Sequence, residues 1–366
     1  MANDRLIVRR ESLIRRLKAV ELAALLVTSA TNVRYLTGFA GEDSALIVSE
    51  GRTILVSDGR FTTQLEEECP GLDVHIREVG QTTAEVQSHV LTTLGLRRVG
   101  FEADSMSVCE FEDLKAKAPT VELVSARGHV EALRAVKDED EVAAIRRAID
   151  AAERAFLMLR NGLRVGDSEK DAADDLEAYL RRCGATAASF PPIVAVGPRS
   201  ALPHARPDPR SRIGDSDFVL VDWGATDRPY KSDLTRVLVT GKVSPKFEEV
   251  YRTVLAAQER AISAIRPGAP ARDVDAEARS VIEEAGFGGF FSHGLGHGLG
   301  MDVHEAPRVR KGSDTLLVAG MVVTVEPGVY LPGWGGVRIE DDVLVTPDGC
   351  EVLTRLPKSL DSVRVA

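Results

Sequence analysis

The chain has 366 residues, a length at which two domains are expected, both of ordinary size or one large and one small. Hydrophobic residues make up 44% and charged residues 28%, enough for a sizeable core, so disorder is excluded as a global description. The formal net charge of -10 argues against a surface built to lie along phosphates, and no nucleic-acid partner is expected. No apolar run approaches the roughly 18 residues of a membrane span. The apolar stretch Leu6-Ile7-Val8 is too short for a signal-peptide core. Cys69, Cys109, Cys183 and Cys350 lie far apart without a CxxC spacing, which speaks against a disulfide framework and against a thiolate metal site. The expectation is a soluble, cytoplasmic, acidic protein with no membrane partner.

The first third reads as alternating strands and helices. Apolar runs at 44–49 and 53–57 flank Glu50-Gly51-Arg52, a hairpin signal. Short strands near Val99–Phe101 and Val121–Val124 bracket a helix around Phe111–Lys117, which makes residues 1–134 a small α/β domain. After Ala135-Val136-Lys137 the texture changes. Asp138–Glu141 is an acidic start suited to the positive end of a helix dipole. Behind it Val142, Ile145, Ile149, Ala152, Phe156 and Leu159 recur at three- and four-residue steps, predicting a long amphipathic helix ended by Gly162 and Gly166. A second helix is predicted over Glu169–Arg182, stopped by Gly184. From Phe218 strand signals dominate, interrupted by helices at Lys246–Ile265 and Ala271–Ala285. Residues 135–366 therefore form a second domain of α+β texture. Its helix-helix-strand units at 138–182 and 246–285 suggest a distant internal duplication.

Three histidines, His293, His297 and His304, fall in one short stretch. Glycines alternating through 294–300, with Gly288 and Gly289 upstream, let the backbone approach something closely, which a surface loop with chance histidines does not need. Asp222 ends the apolar run Phe218–Val221, and Asp233 opens a second strand signal. Glu326 follows Met321–Val325 and Glu340 follows Gly336–Ile339, each in the body of an apolar strand. A lone acid at a strand end is usually a turn former or cap. Four apolar strands each carrying an acid are different, because burying several ionised carboxylates together is prohibitive without positive charge to neutralise them. One imidazole with four carboxylates suits hard-to-borderline divalent ions such as Mn²⁺, Co²⁺ or Zn²⁺. Four carboxylates balance two such ions, and a bridged pair serves hydrolysis by generating a hydroxide nucleophile near neutral pH and polarising the carbonyl it attacks.

Eight stretches in order along the chain carry a family resemblance: Asn32–Phe39, Asp58–Phe61, Arg199–His204, Val221–Gly224, Ser232–Arg236, His293–Glu305, Val325–Gly328 and Gly336–Asp341. In these the sequence resembles the pita-bread metallopeptidases, within them the branch that holds aminopeptidase P and prolidase (Xaa-Pro dipeptidase). The resemblance implies an α+β protein with a creatinase-like N-terminal domain and a pita-bread catalytic domain. It implies two divalent ions, Mn²⁺ first and Co²⁺ or Zn²⁺ as alternatives, held by Asp222, Asp233, His297, Glu326 and Glu340, with Asp233 and Glu340 bridging both. Glu326 stands at the place of the general base. His304 would donate to the substrate carbonyl and the developing oxyanion, and His293 completes the catalytic set. His204, His293, His304, Tyr330 and Arg338 match substrate-contacting positions, the last two also supporting the metal shell. The family often has glycine after the Leu-Pro-His motif, whereas Ala205-Arg206 follow here.

The implied reaction is hydrolysis of the bond between an N-terminal residue and proline in short peptides, by a homodimer. The alternatives are a general or methionine aminopeptidase, a metal-free creatinase, and a non-catalytic pita-bread binding protein. A separate N-terminal domain disfavours the methionine aminopeptidases, and five intact ligand positions disfavour the other two. Fold alone would not separate them.

Overall fold

The computed structural model describes residues 2–365. Met1 and Ala366, the outer bounds of the two expected domains, lie outside the described residues. The chain divides into two compact units, Met1–Arg134 and Ala135–Ala366.

The first unit carries helices α1 (Ala2–Lys18), α2 (Ala30–Thr37), α3 (Thr62–Glu68), α4 (Thr83–Thr93), α5 (Val108–Lys117) and the short α6 (Glu131–Arg134). Its strands are β1 (Ala24–Val27), β2 (Ala45–Ser49), β3 (Arg52–Asp58), β4 (Asp73–Arg77), β5 (Arg98–Glu102) and β6 (Glu122–Ala126). They form one mixed sheet in the order β4-β3-β2-β1-β5-β6. The expected hairpin is β2–β3. Ser49 pairs with Arg52, so the turn is only Glu50-Gly51, and Gly51 adopts the φ of 77° that such a turn demands. Helix α5 and strands β5 and β6 also answer the sequence reading, which passes over β1, β4 and helices α1 to α4. At the heart of this unit the buried Asn32 side chain donates to Glu102 at 2.6 Å and accepts from Arg134 at 2.8 Å.

In the second unit α7 (Glu139–Gly162) begins at the N-cap Asp138, whose side chain and that of Glu141 form a capping box. Helix α8 (Glu169–Arg182) begins in the same way at Ser168, and α9 (Pro245–Ala264) has Ser244 as cap with proline in its first turn. Helix α10 spans Ala271–Glu284. The strands are β7 (Ala187–Ala188), β8 (Ile193–Val196), β9 (Phe218–Trp223), β10 (Ala225–Asp227), β11 (Tyr230–Lys231), β12 (Leu234–Val239), β13 (Gly296–Gly298), β14 (Glu305–Val309), β15 (Val322–Val325), β16 (Gly328–Leu331), β17 (Gly335–Arg338), β18 (Asp341–Thr346) and β19 (Gly349–Val352). Their sheets run β11-β10-β7, β12-β9-β8 and β14-β13-β15-β18-β19, beside the β16-β17 hairpin.

Two apolar cores hold these layers. One packs Ala152, Phe156 and Leu159 of α7 and Leu176 and Leu180 of α8 against β8, β9 and β12. Trp223 is fully buried there, stacked on Phe156 at 4.3 Å, with its indole N–H donating to the Ala152 carbonyl. The other packs α9 and α10 against the remaining sheet through residues such as Val250, Val254, Val274, Val323 and Val343. No helix among the described residues is long and apolar enough to cross a membrane.

The structure corrects one expectation. Of the four acids, only Asp222 lies inside a strand. Asp233 directly precedes β12, Glu326 follows β15, and Glu340 sits between β17 and β18. Pro327 has no N–H to give to a ladder, so β15 stops before Glu326.

Candidate metal centre

Strand pairing brings the acids together. On the β9–β12 ladder Thr235 pairs with Asp222 and Leu234 with Trp223, which sets Asp233 beside Asp222. On β15–β18 Val325 pairs with Asp341, which sets Glu326 beside Glu340. A single bridge between Thr235 and Glu340 joins the two sets. His297 is the middle residue of β13, pressed between β14 and β15. A methyl group on Gly296 would overlap the Thr324 carbonyl, and one on Gly298 the Ala306 carbonyl. The alternating glycines are thus what allow the backbone carrying His297 to come this close.

Asp233, His297 and Glu340 each offer a ligand atom, all within 4.8 Å of one another, and all three residues are buried. His297 Nε2 lies 3.3 Å from Glu326 Oε1 and 3.7 Å from Asp233 Oδ2. Several of these groups have one end committed to the protein and another left over. His297 Nδ1 donates to the Gly298 carbonyl at 3.1 Å, which turns Nε2 to the acids. Glu340 Oε2 accepts from the Thr235 hydroxyl at 2.7 Å. Asp222 Oδ2 accepts from Arg338, while its Oδ1 is buried and has no hydrogen-bond partner.

Burial, then mutual repulsion, holds Asp233 and Glu340 well above the usual carboxylate range, and burial raises Asp222 despite Arg338. Glu326 is the exception. Burial would raise it, but its contact with His297 and the nearby His293 and Arg338 outweigh that and hold it low. Acids that resist ionisation around an imidazole, with an orphaned carboxylate oxygen aimed among them, form a donor set that fits divalent cations.

A chain of hydrogen bonds backs this set. Arg338 donates to the Tyr330 hydroxyl at 2.7 Å and to the Thr235 hydroxyl at 3.1 Å. Tyr330 donates to His293 Nε2 at 2.9 Å, and His293 Nδ1 to the Gly294 carbonyl at 2.7 Å. Arg338 and Tyr330 are buried, and burial pushes the Tyr330 hydroxyl up to about 12. Both His293 nitrogens are engaged by the protein, and burial lowers its pKa.

His204 and His304 face solvent instead. The charge of His204 is felt by Asp222, His293 and His304, so it belongs to the same cluster. The His304 ring lies 4.3 Å from that of His297. Removal from water, then the charges of His297 and Arg308, bring its pKa down to about 4, leaving a neutral imidazole.

The sequence reading misses Thr235, Arg308 and Asp342. Thr235 lies inside a motif already singled out, and Asp342 directly follows one. The Asp342 side chain is fully buried and accepts the Asp233 backbone N–H at 3.2 Å. Arg308 faces solvent on β14, directly across from His297. Its position is a matter of register across a bulge, which leaves no mark in the sequence.

Residues 143–347 match metallopeptidase family M24, and residues 9–136 match the creatinase/prolidase N-terminal domain. An Xaa-Pro dipeptidase of Pyrococcus horikoshii is 35% identical over 340 residues, 92% of this chain and 94% of that protein. The solved structure of an Xaa-Pro dipeptidase from Bacillus anthracis superposes with a TM-score of 0.93 at 36% identity, covering 97% of this chain and 99% of that one. That of an X-Pro aminopeptidase from Thermotoga maritima superposes with a TM-score of 0.86 at 36% identity, covering 94% and 99%.

Proposed function

The chain belongs to metallopeptidase family M24, and from that premise we propose that it hydrolyses the bond between an N-terminal residue and proline in short peptides. The observation that carries this reading is the buried cluster of Asp233, His297 and Glu340 with the orphaned Asp222 oxygen beside it. Asp222, Asp233, His297, Glu326 and Glu340 would hold two divalent ions, Asp233 and Glu340 serving both. When bound, such a pair supplies Lewis acidity toward the scissile carbonyl and a nucleophile from water near neutral pH.

The remaining steps fall to side chains. Glu326, the acid held low, takes the proton of the attacking water. His304, neutral and solvent-facing beside His297, donates to the carbonyl oxygen as it gains charge. His204 and His293 line the proline side, and the Arg338–Tyr330–His293 chain keeps that wall rigid. A proline nitrogen has no N–H to satisfy, and His293, with both nitrogens engaged, offers it no unmet acceptor.

Arg308 favours a dipeptide over a longer substrate. In a dipeptide the free carboxylate lies one residue beyond the carbonyl that His304 addresses, and Arg308 is the cation beside His304 available to meet it. Manganese, a homodimer and the cytoplasm complete the reading. The oxygen-rich donor set supports a hard ion, the resemblance supports the dimer, and four free cysteines support a reducing compartment.

The test is the specificity constant of metal-stripped protein re-supplied in turn with Mn²⁺, Co²⁺ and Zn²⁺, on Leu-Pro, Leu-Pro-Gly and Leu-Ala. Leu-Pro should exceed Leu-Ala by at least about tenfold, the scale of a modest difference in pocket filling, and Arg308→Ala should raise KM for Leu-Pro more than for Leu-Pro-Gly. Equal rates on Leu-Pro and Leu-Ala would leave only a general peptidase.

A further inference from the structure

Lys137 lies three residues after the boundary between the units, in a segment with no role in the chemistry described above. Its ammonium is buried, with 1% of the side chain exposed, and lies 3.3 Å from Glu305 Oε2 and 3.3 Å from the Ala135 carbonyl. Glu305 is equally removed from water, at 5%. A lysine and a glutamate so deeply buried are costly groups to keep, and their pairing offsets part of that cost. The question is what this pair holds in place.

Glu305 immediately follows His304 and is the first residue of β14. Its other oxygen, Oε1, accepts the backbone N–H of Asp302 at 2.9 Å and so closes the turn that presents His304. The carboxylate fills the space beside Gly300, where a methyl group would meet it at 2.7 Å. Across the bulge Glu305 pairs with Gly298, the neighbour of His297. One carboxylate thus fixes both ends of the 300–304 turn and the start of the strand behind it.

Lys137 in turn has a fixed backbone. Its N–H donates to the Gly320 carbonyl at 2.8 Å, and Gly320 N–H donates to Val345 at 2.9 Å, tying the segment to β18. Gly320 has a φ of 92°, and Val136 and Lys137 lie against its Cα, so a side chain there would be strained and crowded at once. The ammonium is held from behind and reaches forward to Glu305.

We propose that Lys137 is a positioning residue for His304, acting through Glu305. It keeps Glu305 seated, Glu305 keeps the 300–304 turn closed, and the turn holds the His304 imidazole against His297, where it can reach a substrate carbonyl. The inference rests on the role given to His304 under the proposed function, but the geometry it concerns can be measured without any substrate.

The experiment uses the full-length, metal-loaded chain and four variants: K137M, K137R, E305Q and K137M/E305Q. Metal content, kcat and KM on Leu-Pro, and the imidazole resonances of His304 in the zinc-loaded form are measured for each. K137M strands a buried carboxylate, so kcat should fall by about tenfold or more, on the scale at which a misplaced catalytic group is felt. KM should stay within about twofold, metal content should be that of the wild type, and the His304 resonances should move. K137R should restore most of kcat, because a cation is returned. K137M/E305Q should also recover most of it, because both charges of the ion pair are removed together and the amide oxygen can still accept from Asp302. Should K137M fail to fold, the impaired E305Q against the restored double variant makes the same comparison.

Unchanged kcat and unchanged His304 resonances in K137M overturn the proposal. So does a double variant no better than K137M, since Lys137 would then serve the fold at large. If the wild type fails to cleave Leu-Pro while the resonances shift and recover as described, the reading of the activity fails and the positioning of His304 by Lys137 stands.

Discussion

Asp233 and His304 illustrate two ways in which a single side chain can matter at this site. Asp233 is buried among other acids that repel its charge, so its carboxylate is stable only with a cation. Asp233→Asn and Glu340→Gln replace an anion with an amide that bridges two cations poorly. Each is expected to abolish hydrolysis and lower the bound metal, as read by elemental analysis. His304 has no such constraint, so His304→Ala should keep its metal and lose about two to three orders of magnitude in kcat, the scale of a missing oxyanion donor. Metal lost from His304→Ala, or retained at full activity in Asp233→Asn, would mean that the two roles have been exchanged. At this scale the sequence is legible because chemistry leaves residue types behind: acids in apolar surroundings and histidines among glycines. Arg308 was not legible, since an arginine on an exposed strand position is ordinary until its neighbour across the ladder is known to be His297.

The strand β13 is the element on which most depends. It is three residues long, and two of them are glycines whose Cα atoms lie against carbonyls of β14 and of Thr324 at the end of β15. Gly296→Ala should therefore push β13 away from β15 and carry His297 with it. We expect a loss of about 1–3 kcal/mol in stability from overpacking and a metal affinity lower by about 10- to 100-fold, the usual effect of disturbing a ligand's support. Thermal melts and metal titration check both, and Gly289→Ala, where nothing lies near the added methyl, is the control.

Helices were the most legible elements. The acidic start at Asp138 and the periodic stripe behind it mark α7, and α8 has the expected bounds Glu169–Arg182. Helices α1 to α4 of the first unit were not read. The highly charged α1 carries little apolar signal, and the four-residue β1 is too short to show a period. The placement of Glu326 and Glu340 within strands failed for a different reason. Hydrophobicity runs through the junctions on either side of them, and only the hydrogen-bond ladder reveals where the strand stops.

For the whole molecule, metal and proton compete for the same carboxylates. Without metal, the native pKa values of Asp222, Asp233, Glu340 and Asp342 lie above their ordinary values near 4. Above that range the folded chain then binds more protons than the unfolded one. These groups therefore stabilise the metal-free fold at low pH and cease to do so as pH rises through their native values. His293 and His304, with lowered values, act in the opposite sense, but only below the ordinary histidine pKa of about 6.5. Measured above the ordinary histidine pKa of about 6.5, metal-stripped protein should melt at progressively lower temperature as pH rises. The gain in Tm on adding the divalent ion should grow over the same range, with protons released as it binds. A metal-dependent gain that is flat or shrinks with rising pH would contradict the raised carboxylates.

The bridge between Thr235 and Glu340 spans more than a hundred residues of sequence. A ribosome delivers Asp222 and Asp233 long before it delivers Glu326 and Glu340. For all the time that α9 and α10 are being made, two acids that will end up buried have neither their partner acids nor His297 to share a cation with. They can wait as solvated groups on an unfinished surface, but they cannot be enclosed. On the proposed ligand set, enclosure and metal capture would therefore await the last of the five residues, and a nascent chain stalled before it would have no competent half-site to display.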